Sequence, residues 1–163
     1  MSADLQSLGV TVIADLSGDE LAAALEGGVS VLKISHEEID GNDPVREAER
    51  LRESVRDAVV LTRANQPALL FTDGDARIIV VPELQEVDHR GAGDSMTAGI
   101  AASLARGSTL DEAMRLGAAA GAVNVTRHGL ASGRRDTVDA LAKQVTIEKA
   151  TKQEVRRARA DHQ

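Results

Sequence analysis

Residues 87–99 read VDHRGAGDSMTAG, a run in which Asp88 and Asp94 bracket two glycines before the chain turns to small and apolar residues. Gly91 and Gly93 open backbone conformations that a side chain closes off, so the amides of Gly91, Ala92 and Gly93 can turn toward one point and cradle an anion. A helix opening near Ser95 adds the positive end of its dipole at the same place. Asp94 stands at the edge of that cradle. There a carboxylate can take the proton of an attacking hydroxyl while the amides stabilise charge on a phosphoryl group in transfer. The same residues also admit a plainer reading, in which Asp94 caps the helix and the glycines only make the turn.

The elements around this run must hold it in place. Val10 to Ala14, Asp19 to Glu26 and Val29 to Ile34 read as strand, helix, strand. Asp43 then serves as an N-cap with Pro44 at the first helical position, and Val45, Ala48, Leu51 and Val55 make the apolar face of a helix ending near Asp57. Ala58 to Leu61 reads as a buried strand. Ala68 to Phe71 and Arg77 to Val81 flank Asp73-Gly74 as a hairpin. Helices follow over Ser95 to Ala105, Leu110 to about Thr126, and after Asp136. This order predicts an α/β sandwich on a mostly parallel sheet, with the glycine run at a strand-to-helix junction where such folds place their ligands.

Composition narrows the classes of function. The chain has 163 residues, enough for one compact core, and its 42% hydrophobic content includes one Phe and no Trp or Tyr. Ala, Val, Leu and Ile must therefore fill the interior, and few aromatic platforms remain for stacking bases. A net charge of −7 opposes a general nucleic-acid or anionic-membrane surface, although a few amides can hold a phosphate at any net charge. There is no cysteine, so thiolate metal sites and disulfides are excluded, and the four histidines lack metal-site spacing. No leader pattern and no run of eighteen apolar residues is found, which predicts a soluble, cytoplasmic protein. P-loop and nucleophile-elbow motifs are absent.

Asp88, Gly91, Ala92, Gly93, Asp94, Ala98 and Gly99 fit, position by position, the D-x-x-G-A-G-D signature of the ribokinase-like, or phosphofructokinase B, carbohydrate kinases. Gly-Ala-Gly-Asp-Ser-Met resembles the phosphofructokinase branch. The resemblance covers nearly all of the chain to about Leu141. Val31 to Glu38 is similar to the family's K-P-N-x-x-E segment, which helps place magnesium and phosphates; Lys33 and Glu38 match, while Ser35 replaces Asn and Ile34 replaces Pro. Ala118 to Gly129 resembles the alanine-rich helix and T-R-x-G turn beside the adenine pocket, which would bring Gly117, Ala118 and Gly121 near the base. Tight helix packing is the other reading of those small residues.

The resemblance implies a ribokinase-like three-layer α/β/α sandwich. It also implies ATP and Mg2+ as cofactors, a monovalent cation near Asp88 and Gly129, and a sugar or sugar phosphate as acceptor. Asp94 would be the base and the Gly91-Ala92-Gly93 amides the anion hole. Two departures stand out. Where the family has S/T-x-G-x-x-G touching nucleotide phosphates, this chain has Thr62-Arg63-Ala64-Asn65-Gln66-Pro67: Thr62 is kept, both glycines are gone, and Arg63 either substitutes a charged contact or stands in a turn that has lost its approach. Family members are also longer, so residues 1–147 correspond to the nucleotide-binding half, without the sugar-recognition half and lid. That predicts a homo-oligomer or a complementing N-terminal half as partner. Residues 148–163, with five Lys/Arg against three acids, form a basic tail, helical or frayed. A non-catalytic nucleotide-binding or interaction module is the alternative to a kinase.

Overall fold

The computed structural model describes residues 2–39, 41–64, 66–85, 87–126 and 133–160. Its elements in order are α1 (Ser2–Ser7), β1 (Ile13–Asp15), α2 (Gly18–Glu26), β2 (Val29–Ser35), a 3-10 turn (His36–Glu38), α3 (Pro44–Arg52), β3 (Val55–Arg63), β4 (Gln66–Thr72), β5 (Asp75–Val80), α4 (Ala92–Leu104), α5 (Leu110–Val125), α6 (Arg135–Ala142), β6 (Thr146–Lys149) and α7 (Lys152–Ala160). The strands form one mostly parallel, six-stranded sheet in chain order, the α/β arrangement expected: β1, β2 and β3 run parallel, and β4 returns antiparallel beside β3. The chain divides into two compact units, residues 1–78 with 149–163, and residues 79–148.

In the first unit, β2 and the Ala58 to Leu61 stretch of β3 are buried on both faces, which is why they read as unbroken apolar runs. Helix α3 starts as its sequence dictates. Asp43 Oδ1 accepts from the Arg46 N–H at 2.9 Å, Pro44 occupies the first turn, and Val45, Ala48 and Leu51 are buried. The helix stops at Arg52 rather than near Asp57, because Val55 is taken as the first buried residue of β3. Strand β1 is likewise shorter than expected, three residues instead of five. Within the basic tail, residues 152–160 form α7. Its Ala158 is buried, and Arg159 Nη2 donates to Glu49 Oε2 on α3 at 2.6 Å.

The second unit is built on α4 against α5. Thr109 and Glu112 cap α5 reciprocally: Glu112 Oε2 accepts from the Thr109 N–H at 2.8 Å and the Glu112 N–H donates back to Thr109 Oγ1 at 3.3 Å. The Thr109 N–H and the Thr109 hydroxyl, both donating to that carboxylate, hold the Glu112 carboxyl below its usual range. Small residues let the two helices approach closely. A Cβ added at Gly99 would lie 2.8 Å from Gly117 Cα, and one at Gly117 would lie 2.5 Å from Ile100 Cγ1. Met96 and Ile100 of α4 lie against Gly117 and Gly121, and Met114, Ala119 and Val123 are buried on α5.

Candidate functional site

In the second unit the signature run forms a turn leading into α4. Gly91 is the N-cap, with φ 74° and ψ 8°, a left-handed conformation. The first intrahelical bond runs from the Ser95 N–H to Gly91 O at 2.9 Å, so the Gly93 and Asp94 amides have no partner within the helix. The helix therefore opens three residues before Ser95. Of the two glycines, only Gly91 uses left-handed freedom, while Gly93 lies within α4. Gly91→Val is accordingly expected to destabilise the protein by about 1–2 kcal/mol through backbone strain. Gly93→Val carries no such strain and acts by crowding whatever ligand the amides hold. Urea melts separate the two; equal losses at both positions would contradict this assignment.

The Asp94 carboxylate projects from the first turn, exposed, and has no side-chain partner among the described residues. The capping position belongs to Gly91, so Asp94 is not the N-cap that the plainer reading required. Asp88 is mostly covered and holds the turn from behind, accepting from the Arg90 N–H at 3.1 Å and from the Arg90 guanidinium at 2.7 Å. That carboxylate raises the Arg90 guanidinium above its usual value. The whole segment is fastened to the end of α5: Val125 O accepts from the Val87 N–H at 2.7 Å and the Asp88 N–H at 3.1 Å, and Asn124 Nδ2 donates to Arg90 O at 2.7 Å. Helix carbonyls left open in the last turn are satisfied in this way. Gly121 also borders the turn, since a Cβ there would lie 2.9 Å from Ala92 O. Gly117, Ala118 and Gly121 are all buried, with Gly117 and Gly121 pressed against α4. The Arg127-His128-Gly129 part of the T-R-x-G turn, and with it Gly129 as a cation ligand, lies outside the described residues.

In the first unit the remaining candidates gather at the carboxyl ends of the parallel strands. Ser35 pairs in register with Thr62, and Lys33 with Asp15. Lys33 is buried and donates from Nζ to Asp15 Oδ1 at 2.9 Å, a partner that a buried ammonium requires. Ser35 and Glu38 cap the 3-10 turn reciprocally, with Glu38 Oε2 accepting from the Ser35 N–H at 2.7 Å. His36 Nδ1 lies 3.3 Å from Thr62 O, which can only accept, so this contact needs the Nδ1-protonated tautomer. Arg63 is buried and folds back on its own hairpin: Nε donates to Pro67 O at 3.0 Å and Nη1 to Gln66 Oε1 at 2.9 Å. Ala64, which stands where the first glycine of the family's turn would be, keeps a left-handed backbone at φ 45°. Ala64→Gly should therefore raise stability by about 0.5–1 kcal/mol, the relief of strain exceeding the added chain entropy. A urea midpoint that fails to rise would count against this. Asn65 lies outside the described residues.

Asp15 and Asn124 are the two residues that sequence reasoning left without a role. Their signal was weak: an acid at the end of a first strand, and an amide in the apolar second half of α5.

In the second unit a left-handed glycine turn thus opens α4, with unbonded amides and an exposed carboxylate in the helix's first turn. Residues 3–138 match the pfkB family carbohydrate kinases, and the chain belongs to that family. It is 30% identical over 145 residues to a 1-phosphofructokinase of Bacillus subtilis, covering 83% of this chain and 47% of that protein. It is 34% identical over 139 residues to an ATP-dependent 6-phosphofructokinase isozyme 2 of Mycobacterium tuberculosis, covering 78% and 40%. The crystal structure of phosphofructokinase-2 from Escherichia coli in complex with potassium superposes with a TM-score of 0.74 at 27% identity, over 88% of this chain and 51% of that one. The chain thus spans about half the length of the relatives it matches, and its fold is ribokinase-like. Among the described residues, no helix is long and apolar enough to cross a membrane.

Proposed function

We propose that the chain is the nucleotide-binding and catalytic half of an ATP-dependent sugar or sugar-phosphate kinase, with phosphofructokinase-like chemistry. The observation that carries this reading is Asp94, exposed and unpartnered among the described residues, in the first turn of α4 behind left-handed Gly91. Asp94 accepts the proton of the acceptor hydroxyl as its oxygen bonds to the γ-phosphorus. The bond from that phosphorus to the β,γ-bridging oxygen breaks, and ADP leaves. The first-turn amides and the α4 dipole stabilise the charge gathering on the phosphoryl oxygens. A phosphate fits such donors, because the Gly93 and Asp94 N–H groups have no acceptor within the helix. Magnesium, when bound with the nucleotide, neutralises phosphate charge; Glu38 and Ser35 belong to the segment that the family resemblance assigns to it. Asp88 is the residue that the family resemblance assigns to a monovalent cation.

A kinase must also exclude water and hold the acceptor in line, which takes protein on more than one side of the transferred group. Turnover therefore needs further protein around the site, supplied by a longer form of this chain, by another polypeptide or by a second copy. The test is ADP release by the purified chain against hexoses, pentoses and their phosphates, with Asp94→Asn as control. Little turnover is expected from the chain alone, and Asp94-dependent turnover once the site is covered. Robust turnover by a verified monomer would overturn the need for a partner. Nucleotide binding without turnover in every combination would favour a non-catalytic binding module.

A further inference from the structure

We propose that Asn124 is a positioning residue for the phosphate cradle. Its side-chain amide fixes the Arg90 carbonyl, and through that peptide it sets the left-handed turn at Gly91 from which the α4 amides and Asp94 project. This inference rests on the reading of that turn as the phosphoryl site.

Three observations carry it. Asn124 is 2% exposed in the apolar second half of α5, where a buried amide is costly unless it is hydrogen-bonded. Its Nδ2 donates to Arg90 O at 2.7 Å across 34 residues of sequence, and Arg90 O belongs to the peptide that precedes Gly91. Rotation of that peptide changes Gly91 φ directly. The neighbouring anchors act further upstream: Val125 O holds the Val87 and Asp88 amides, and the Asp88 carboxylate holds the Arg90 N–H. Asn124 is thus the side chain of α5 that grips the last peptide before the turn. A main-chain carbonyl can only accept, so the task needs a donor that stays neutral, which an amide supplies and a carboxylate does not.

The experiment compares the wild-type chain with Asn124→Asp, which keeps shape and removes the donor, and with Val123→Ala, which removes buried apolar volume at the same helix end without touching the turn. Asn124→Ser, too short to reach Arg90 O, serves if the aspartate variant does not fold. Amide exchange of residues 88–95 is followed by NMR, and inorganic pyrophosphate is titrated against the Gly91 and Gly93 resonances. Loss of one hydrogen bond at this point is expected to speed exchange in the turn by about tenfold and to weaken the pyrophosphate response by a similar factor. Val123→Ala should lower global stability while leaving both turn readouts near wild type. Unchanged turn exchange in Asn124→Asp and Asn124→Ser overturns the proposal, as does equal loosening in Val123→Ala. If pyrophosphate leaves the wild-type resonances unmoved, the functional reading of the turn fails. The exchange data still decide whether Asn124 sets its geometry.

Discussion

Asp94→Asn is expected to lower phosphoryl transfer by about 10²- to 10⁴-fold, the usual worth of a general base, in any preparation of the chain that phosphorylates an acceptor. The substitution is nearly isosteric, and Asp94 is exposed with no side-chain partner among the described residues. Stability should therefore fall by no more than about 0.5 kcal/mol, apart from the lost attraction between the carboxylate and the positive end of α4. Nucleotide affinity should hold or improve, because a negative charge next to the phosphates has been removed. A loss confined to turnover separates a base from a binding residue. Calorimetry with the magnesium nucleotide, together with a coupled ADP-release assay, reads both quantities. Near-normal turnover would remove Asp94 from its proposed role.

Gly117→Val is expected to destabilise the second unit by about 3 kcal/mol, the upper end of the usual overpacking range. The Cβ alone would stand 2.5 Å from Ile100 Cγ1 and 2.8 Å from Met96 O. Ile100 can turn aside at some cost, but Met96 O is backbone inside α4 and cannot yield without moving the helix that carries Gly91 and Asp94. The gain in helix propensity from replacing glycine recovers about 0.5 kcal/mol at most. Urea unfolding measures the loss, and nucleotide calorimetry tells two roles apart. If Gly117 chiefly receives the adenine base, affinity falls while stability holds. If it chiefly lets α4 and α5 meet, stability falls first.

What could be read from the sequence was local. Asp43-Pro44 opens α3, Asp73-Gly74 turns the β4–β5 hairpin, and Thr109 with Glu112 caps α5, all through bonds spanning three or four residues. Buried strands showed as continuous apolar runs, and the signature placed Gly91 and Asp94 at a helix start. Their free energies depend on near neighbours, so composition and spacing suffice to find them. Left-handed positions and the partners of buried polar side chains were decided only by the tertiary structure. It chose Gly91 rather than Gly93 for the left-handed turn, and kept Ala64 left-handed where a glycine was expected. It also folded Arg63 onto Pro67 and Gln66, paired Lys33 with Asp15 across 18 residues, and brought Asn124 to Arg90 across 34. The pairings of Arg63, Lys33 and Asn124 follow from burial. Once a donor or a charge is taken out of water it must find a partner, and which partner lies within reach is set by how strands and helices pack, not by their order in the chain.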